Sequence, residues 1–115
     1  MKFMALIYSS EAAGDDVDLA TLIDQYTQFG SDAEAAGIVT GEGAALQPVS
    51  TATSVQLRGG KPVITDGPFA ETKEQLGGYY VFDCKNLDEA LEWAARIPSA
   101  RYGTVEVRPV MEFDE

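Results

Sequence analysis

The residues best suited to chemistry in this 115-residue chain fall in one stretch, TDGPFAETKEQLGGYY, from Thr65 to Tyr80. It sets four charged side chains and three glycines between two apolar segments. Asp66 is the first candidate. Its carboxylate can accept a hydrogen bond from the backbone two residues on, as in an Asx-turn. Gly67 tolerates backbone angles closed to other residues, Pro68 fixes the next one, and Phe69 can anchor the turn in apolar surroundings. Such a turn is explained by architecture alone. If it also presents Asp66 into a dry pocket, the carboxyl is suited to acid–base work.

The following ETKE segment holds Glu71, Lys73 and Glu74. One reading is a solvated loop with a local ion pair worth under about 1 kcal/mol. The other makes Lys73 the cation that meets an anionic group of a ligand. Gly77 and Gly78 let the backbone approach either a neighbouring strand or a ligand. They lack the spacing and the following helix of a phosphate-binding loop, which excludes that kind of nucleotide site. Tyr8, Tyr79 and Tyr80 can line a cavity and offer hydroxyls, or pack in an interface. Arg58 and Arg108 suit surface pairing or anion capture.

Some chemistry is excluded outright. The chain contains no histidine and one cysteine, so neither a zinc or copper site nor an imidazole-dependent mechanism can be assembled. Serine-triad chemistry falls with it, and Cys84, with no base to activate it, reads as a passive thiol. No calcium-loop spacing is present. No cofactor and no metal are expected.

These residues must be positioned by regular elements. In MKFMALIY, Phe3, Ala5 and Ile7 point one way and Met4, Leu6 and Tyr8 the other, so the strand is apolar on both faces. From Val17 to Ala36, Leu19, Leu22, Ile23, Tyr26, Phe29 and Ala33 recur at helical spacing. Asp15, Asp16 and Asp18 lie near the positive end of that helix, and Gly37 can close it in a left-handed conformation. IVTGEGAAL predicts a short strand interrupted by glycines. TSVQLRGGKPVIT predicts a hairpin turning at Gly59-Gly60. GGYYVFDC predicts a strand with Tyr80 and Phe82 on one face and Tyr79 and Val81 on the other. In NLDEALEWAARIP, Asn86 is an N-cap with Glu89 three residues on, Leu87, Ala90, Leu91 and Ala94 form the buried stripe, and Pro98 ends the helix. GTVEVRPV is the last strand.

This order predicts an α+β domain over residues 1–115, ferredoxin-like, with an antiparallel sheet and both helices on one face. The other face is apolar too, and a twofold dimer packing sheet on sheet would cover it. Composition restricts the partners. Eight basic against nineteen acidic residues give a net charge of −11, which repels nucleic acid and anionic membranes. No apolar run is long enough to span a bilayer. The first eight residues read as a strand rather than a signal peptide, and the single cysteine fits a cytoplasmic location.

The stretch from Thr65 to Tyr80 resembles the signature of the DGPF group within the YCII-related proteins. The similarity extends through MKFMALIY, TATSVQLRGGKPVITDGPF, LDEALEWAARIP and VEVRPV, nearly the whole chain. The resemblance implies a dimeric α/β barrel built from two ferredoxin-like subunits. It also implies an acid–base aspartate, which some members pair with a histidine. Asp66 is its counterpart here, without the histidine. Related domains occur fused to, or encoded beside, extracytoplasmic-function sigma factors, which implies a regulatory alternative.

The expectation is therefore a cytoplasmic homodimer with a small-molecule cavity near the DGPF loop. Asp66 would act as acid or base and Lys73 as anion partner, with Tyr8 or Tyr80 as orienting hydroxyl and Phe69 in contact with the ligand. The alternative is a non-catalytic regulatory or interaction module, with a sigma factor or another regulatory protein as partner.

Overall fold

Four strands form the main antiparallel sheet, and its order shows how the chain crosses the core. The computed structural model describes residues 1–10 and 18–113. The elements are β1 (Lys2–Ser9), α1 (Leu19–Ala35), β2 (Val39–Ala45), β3 (Thr53–Arg58), β4 (Lys61–Asp66), β5 (Gln75–Asp83), α2 (Leu87–Ala94) and β6 (Thr104–Pro109). The main sheet runs β2-β5-β1-β6, so each helix crosses over a strand placed between the two it joins. This is the α+β, ferredoxin-like arrangement that the strand and helix order predicts.

Local chemistry explains the boundaries. Asp18 caps α1 by accepting hydrogen bonds from the Thr21 amide at 3.2 Å and the Thr21 hydroxyl at 2.9 Å. Asp15 and Asp16 lie outside the described residues. At the other end Gly37 has φ +72°, its amide donates to Glu34 O, and Ile38 N donates to Ala33 O. That is a Schellman closure, and it delivers the buried Ile38 into the core. Asn86 caps α2 through the Glu89 amide at 2.9 Å, while the Glu89 carboxylate turns back to the Lys85 amide rather than to Asn86 itself. Gly59 and Gly60 both adopt positive φ, as a two-residue I′ hairpin turn requires.

The core lies between the sheet and the helices. Phe3, Ala5 and Phe82 from the sheet meet Phe29 and Ala33 of α1, Ala90 and Ala94 of α2, and Ile97. The stripe expected for α2 is only half correct. Leu87 and Leu91 are 48% and 47% exposed, because the helix rests on its two alanines. Small residues allow close approach and turn the bulkier leucines outward. In α1, likewise, Leu19 and Ile23 are exposed. The helices are tied together by Arg96 of the α2 end, which pairs with Asp32 at 3.1 Å and lies 4.1 Å over the Trp93 ring.

β3 and β4 stand apart as a separate two-stranded sheet. Apart from each other, neither packs extensively on another helix or strand. Val55 pairs with Ile64 and Leu57 with Pro62 on one face of this hairpin, and all four are exposed. The open face of the main sheet carries half-buried Met4, Leu6 and Tyr79.

Candidate functional site

A cavity of about 570 Å³ opens between α1, the β2–β5 edge and a short 3₁₀ turn, Pro98–Arg101. Its size is within the range that holds small organic molecules. The sheet supplies Ile7 and Tyr80, α1 supplies Leu22 and Tyr26, and the turn region supplies Ser99 and Tyr102. The β2–β5 edge adds Gly43, Ala44, Ala45, Gly77, Gly78 and Tyr79, and the end of β1 adds Ser9 and, just after it, Ser10.

The glycines here serve strand approach first. A Cβ on Gly78 would lie 2.8 Å from Ala44 O, and one on Gly43 2.8 Å from Tyr79 O, so β2 and β5 can pair only without those side chains. At Gly77 the nearest atom is Ile7 O at 3.9 Å, and here the register with β1 slips between Ile7 and Tyr8. Of the two readings for this glycine pair, a neighbouring strand explains Gly78, while Gly77 sits beside a bulge.

Besides Ser9 and Ser10, the cavity wall carries a linked chain of three hydroxyls. Tyr26 OH and Ser99 Oγ are 2.5 Å apart, and Ser99 Oγ and Tyr102 OH are 3.3 Å apart. Ser99 is buried. It stands three residues before Tyr102, and at three residues per 3₁₀ turn the two side chains fall on one side. Burial pushes the Tyr26 phenol above its usual range, against the hydrogen bond with Ser99 that lowers it. Burial does the same to Tyr80, whose ring packs 5.3 Å from Phe29 and stacks on Phe82 at 6.1 Å. A smaller hollow of about 300 Å³ adjoins, sharing Ser9 and Gly77. It contains Gln75, whose Oε1 is buried without a hydrogen-bond partner among the described residues.

The residues singled out from sequence are not gathered at this cavity. Tyr80 lines it. Tyr8, half-buried, projects from the opposite face of the sheet to Ile7. Asp66 ends β4 opposite Thr53 and is exposed. The Asx-turn does not form, because the residue two positions on is Pro68, which has no amide proton. The turn is held instead by Gly67 N donating to Ala52 O at 2.7 Å and Ser54 Oγ donating to Gly67 O at 2.8 Å. Phe69 does not anchor it: the ring is 89% exposed. Lys73 is exposed and forms no ion pair among the described residues, so the local pair expected in ETKE is absent there. Glu74 instead accepts from Thr104 Oγ1 at 2.9 Å. Arg58 donates to the neighbouring Leu57 carbonyl. Cys84 is buried, and burial, with Glu89 and Asp83 nearby, raises its thiol pKa. No group of three or more metal-ligating side chains meets among the described residues, and no described helix is long and apolar enough to cross a membrane.

With this geometry in place, comparison with known proteins settles the kinship. The YCII-related domain matches residues 1–114. The chain belongs to the YCII-related family. It is also similar to an uncharacterized protein, R00369, of Rhizobium meliloti (strain 1021), at 39% identity over 95 residues. That match covers 81% of this chain and 70% of the relative. In this YCII-related chain the hydroxyl chain draws on Tyr26, Ser99 and Tyr102, none of them singled out from sequence as a site residue. Tyr26 reads as helix stripe, and Ser99 lies 73 positions away from it. The one local signal is the Ser99–Tyr102 spacing after Pro98.

Proposed function

We propose that this YCII-related protein binds a small molecule in the cavity between α1 and the sheet, and does so as a cytoplasmic homodimer. The observation that carries the binding reading is the cavity itself, with apolar walls and one organised set of hydroxyls. A fragment screen by ligand-observed NMR tests it, with Ala45→Phe as control. Ala45 lines the cavity from β2, and a phenyl ring there fills it. Hits on the parent that vanish in Ala45→Phe support the reading; hits that persist refute it.

The dimer is supported by surface area. The chain exposes 8160 Å², against roughly 6,100 Å² for a compact monomer of 12.3 kDa. The excess, about 2,000 Å², exceeds the ~800 Å² that each partner contributes to a standard interface. The radius of gyration, 16.1 Å, likewise exceeds the roughly 13 Å of a compact domain of about this length. Burying the apolar hairpin face and the open sheet face would remove much of that excess and close the dimeric barrel. Sedimentation equilibrium at micromolar concentration checks this, and a 12.3 kDa species there refutes it. Acid–base work by Asp66 enters this reading only through the dimer, since Asp66, Phe69 and Lys73 do not line the cavity of their own subunit.

The hairpin also favours a second reading, a regulatory or interaction module. Its exposed Val55, Leu57 and Ile64 would then face another protein. Val55→Lys with Ile64→Lys separates the two. Weakened self-association assigns the hairpin to the dimer, and unchanged self-association leaves it for another protein.

A further inference from the structure

The hydroxyl chain contains a proton count that bears on what the cavity accepts. Three hydroxyls carry three protons, and the two links Tyr26–Ser99 and Ser99–Tyr102 use two of them. One proton is left over whichever way the chain is polarised. Ser99, buried in the middle, has its oxygen engaged on both sides. The spare donor therefore appears at a tyrosine when the chain is polarised along its length, or at Ser99 when both tyrosines donate to it, and all three residues line the cavity.

The surroundings define the partner of that donor. No lysine or arginine lines the cavity among the described residues. The chain as a whole carries −11. An anion entering this space would lose its hydration with no cation to replace it. Burial raises the Tyr26 phenol, which favours its protonated, donating form. Ile7, Leu22 and the Tyr80 ring supply apolar wall.

We infer that the cavity selects a neutral, largely apolar molecule bearing a carbonyl oxygen, which accepts the proton left over by the Tyr26–Ser99–Tyr102 chain. This rests on the cavity being the ligand site, as proposed above. The carbonyl is held by the O–H left over in the chain while the hydrocarbon part lies along Leu22 and Tyr80. Anionic analogues of the same shape are rejected by the missing cation.

Three probes of one shape test it: 2-acetylnaphthalene, 2-ethylnaphthalene and 2-naphthoate, titrated against the intact protein and followed by the amide shifts of Gly43, Gly77 and Gly78. The ketone is expected to bind about 3- to 10-fold tighter than the hydrocarbon, the worth of one neutral hydrogen bond. Naphthoate is expected to be about tenfold or more weaker than the ketone. In Tyr26→Phe/Ser99→Ala/Tyr102→Phe, which removes all three hydroxyls, the preference for ketone over hydrocarbon falls to about one, while the hydrocarbon keeps its affinity within about twofold, which shows that the fold and cavity persist. A preference that survives this triple substitution, or naphthoate binding as tightly as the ketone, overturns the inference and leaves the cavity as a ligand site. Glycine amides unmoved by all three probes overturn both.

Discussion

Gly78 and its neighbour Gly77 allow a test in which adjacent, chemically identical substitutions move stability in opposite directions. At Gly78 an added methyl lies 2.8 Å from Ala44 O and 3.4 Å from Ala45 Cα, both backbone atoms of β2. Neither can rotate away. β2 must retreat by about half an ångström, straining the Ala45–Gly78 pairing, and overpacking of this kind costs about 1–3 kcal/mol. Against it stands the reduced freedom of the unfolded chain, which favours alanine by about 0.4–1 kcal/mol. A backbone oxygen at 2.8 Å puts the clash in the upper part of its range, so Gly78→Ala should destabilise by about 1–2 kcal/mol. For a domain of this size that lowers Tm by roughly 4–12 °C. At Gly77 the nearest atom is 3.9 Å away and φ is not positive, so Gly77→Ala retains only the chain-entropy gain. It should be neutral or stabilising by up to about 1 kcal/mol. Urea and thermal unfolding followed by circular dichroism measure both. Two variants with equal midpoints would refute the close approach of β2 to β5 at Gly78.

Gly67→Ala should cost about 1 kcal/mol or more, from φ alone, since Gly67 sits at +98° with open space around it; urea midpoints equal to the parent would contradict this. Asp66→Asn should change stability by less than about 0.5 kcal/mol, because the carboxylate is exposed and receives no hydrogen bond among the described residues. A loss above about 1 kcal/mol in urea would show that the turn depends on it. Stability should also fall in base through Tyr26. Burial raises the folded pKa above the unfolded value of about 10, so the contribution is complete below about pH 10 and is lost as pH rises through the higher folded value. Tyr80 and Cys84 are raised by burial too and act with the same sign. Tyr26→Phe should flatten the fall in urea midpoint as pH rises above about 10, and an unchanged slope would remove Tyr26 as a cause.

What the sequence reveals about this fold is mostly what is decided locally. The Gly59-Gly60 turn, the Gly37 closure and the Asn86 cap each depend on a few consecutive residues, and each is present as expected. Alternation in β1 and β5 identifies both faces of the sheet because its period is two. Leu87 and Leu91 mislead because helical spacing defines an apolar side but not which part of it rests on the sheet, and the closer-fitting alanines win. The site is harder still. Asp66, Phe69 and Lys73 belong to an unusual stretch, yet that stretch leaves them exposed and outside the cavity. Tyr26 and Ser99 become partners only when α1 and the 3₁₀ turn are brought together, and no local pattern joins residues 73 positions apart.

The separateness of the β3–β4 hairpin has a consequence for how this molecule can be watched. The one tryptophan, Trp93, lies in α2, 6.3 Å from Phe29, so its emission reports on the body alone. A hairpin on its own is only marginally stable in water, and this one has little of its own body to lean on. Its opening is therefore silent in fluorescence and visible in amide exchange at positions 54–65. Exchange there, compared with β1 and β5 as protein concentration is raised, becomes an internal gauge of whether something has come to rest on the arm.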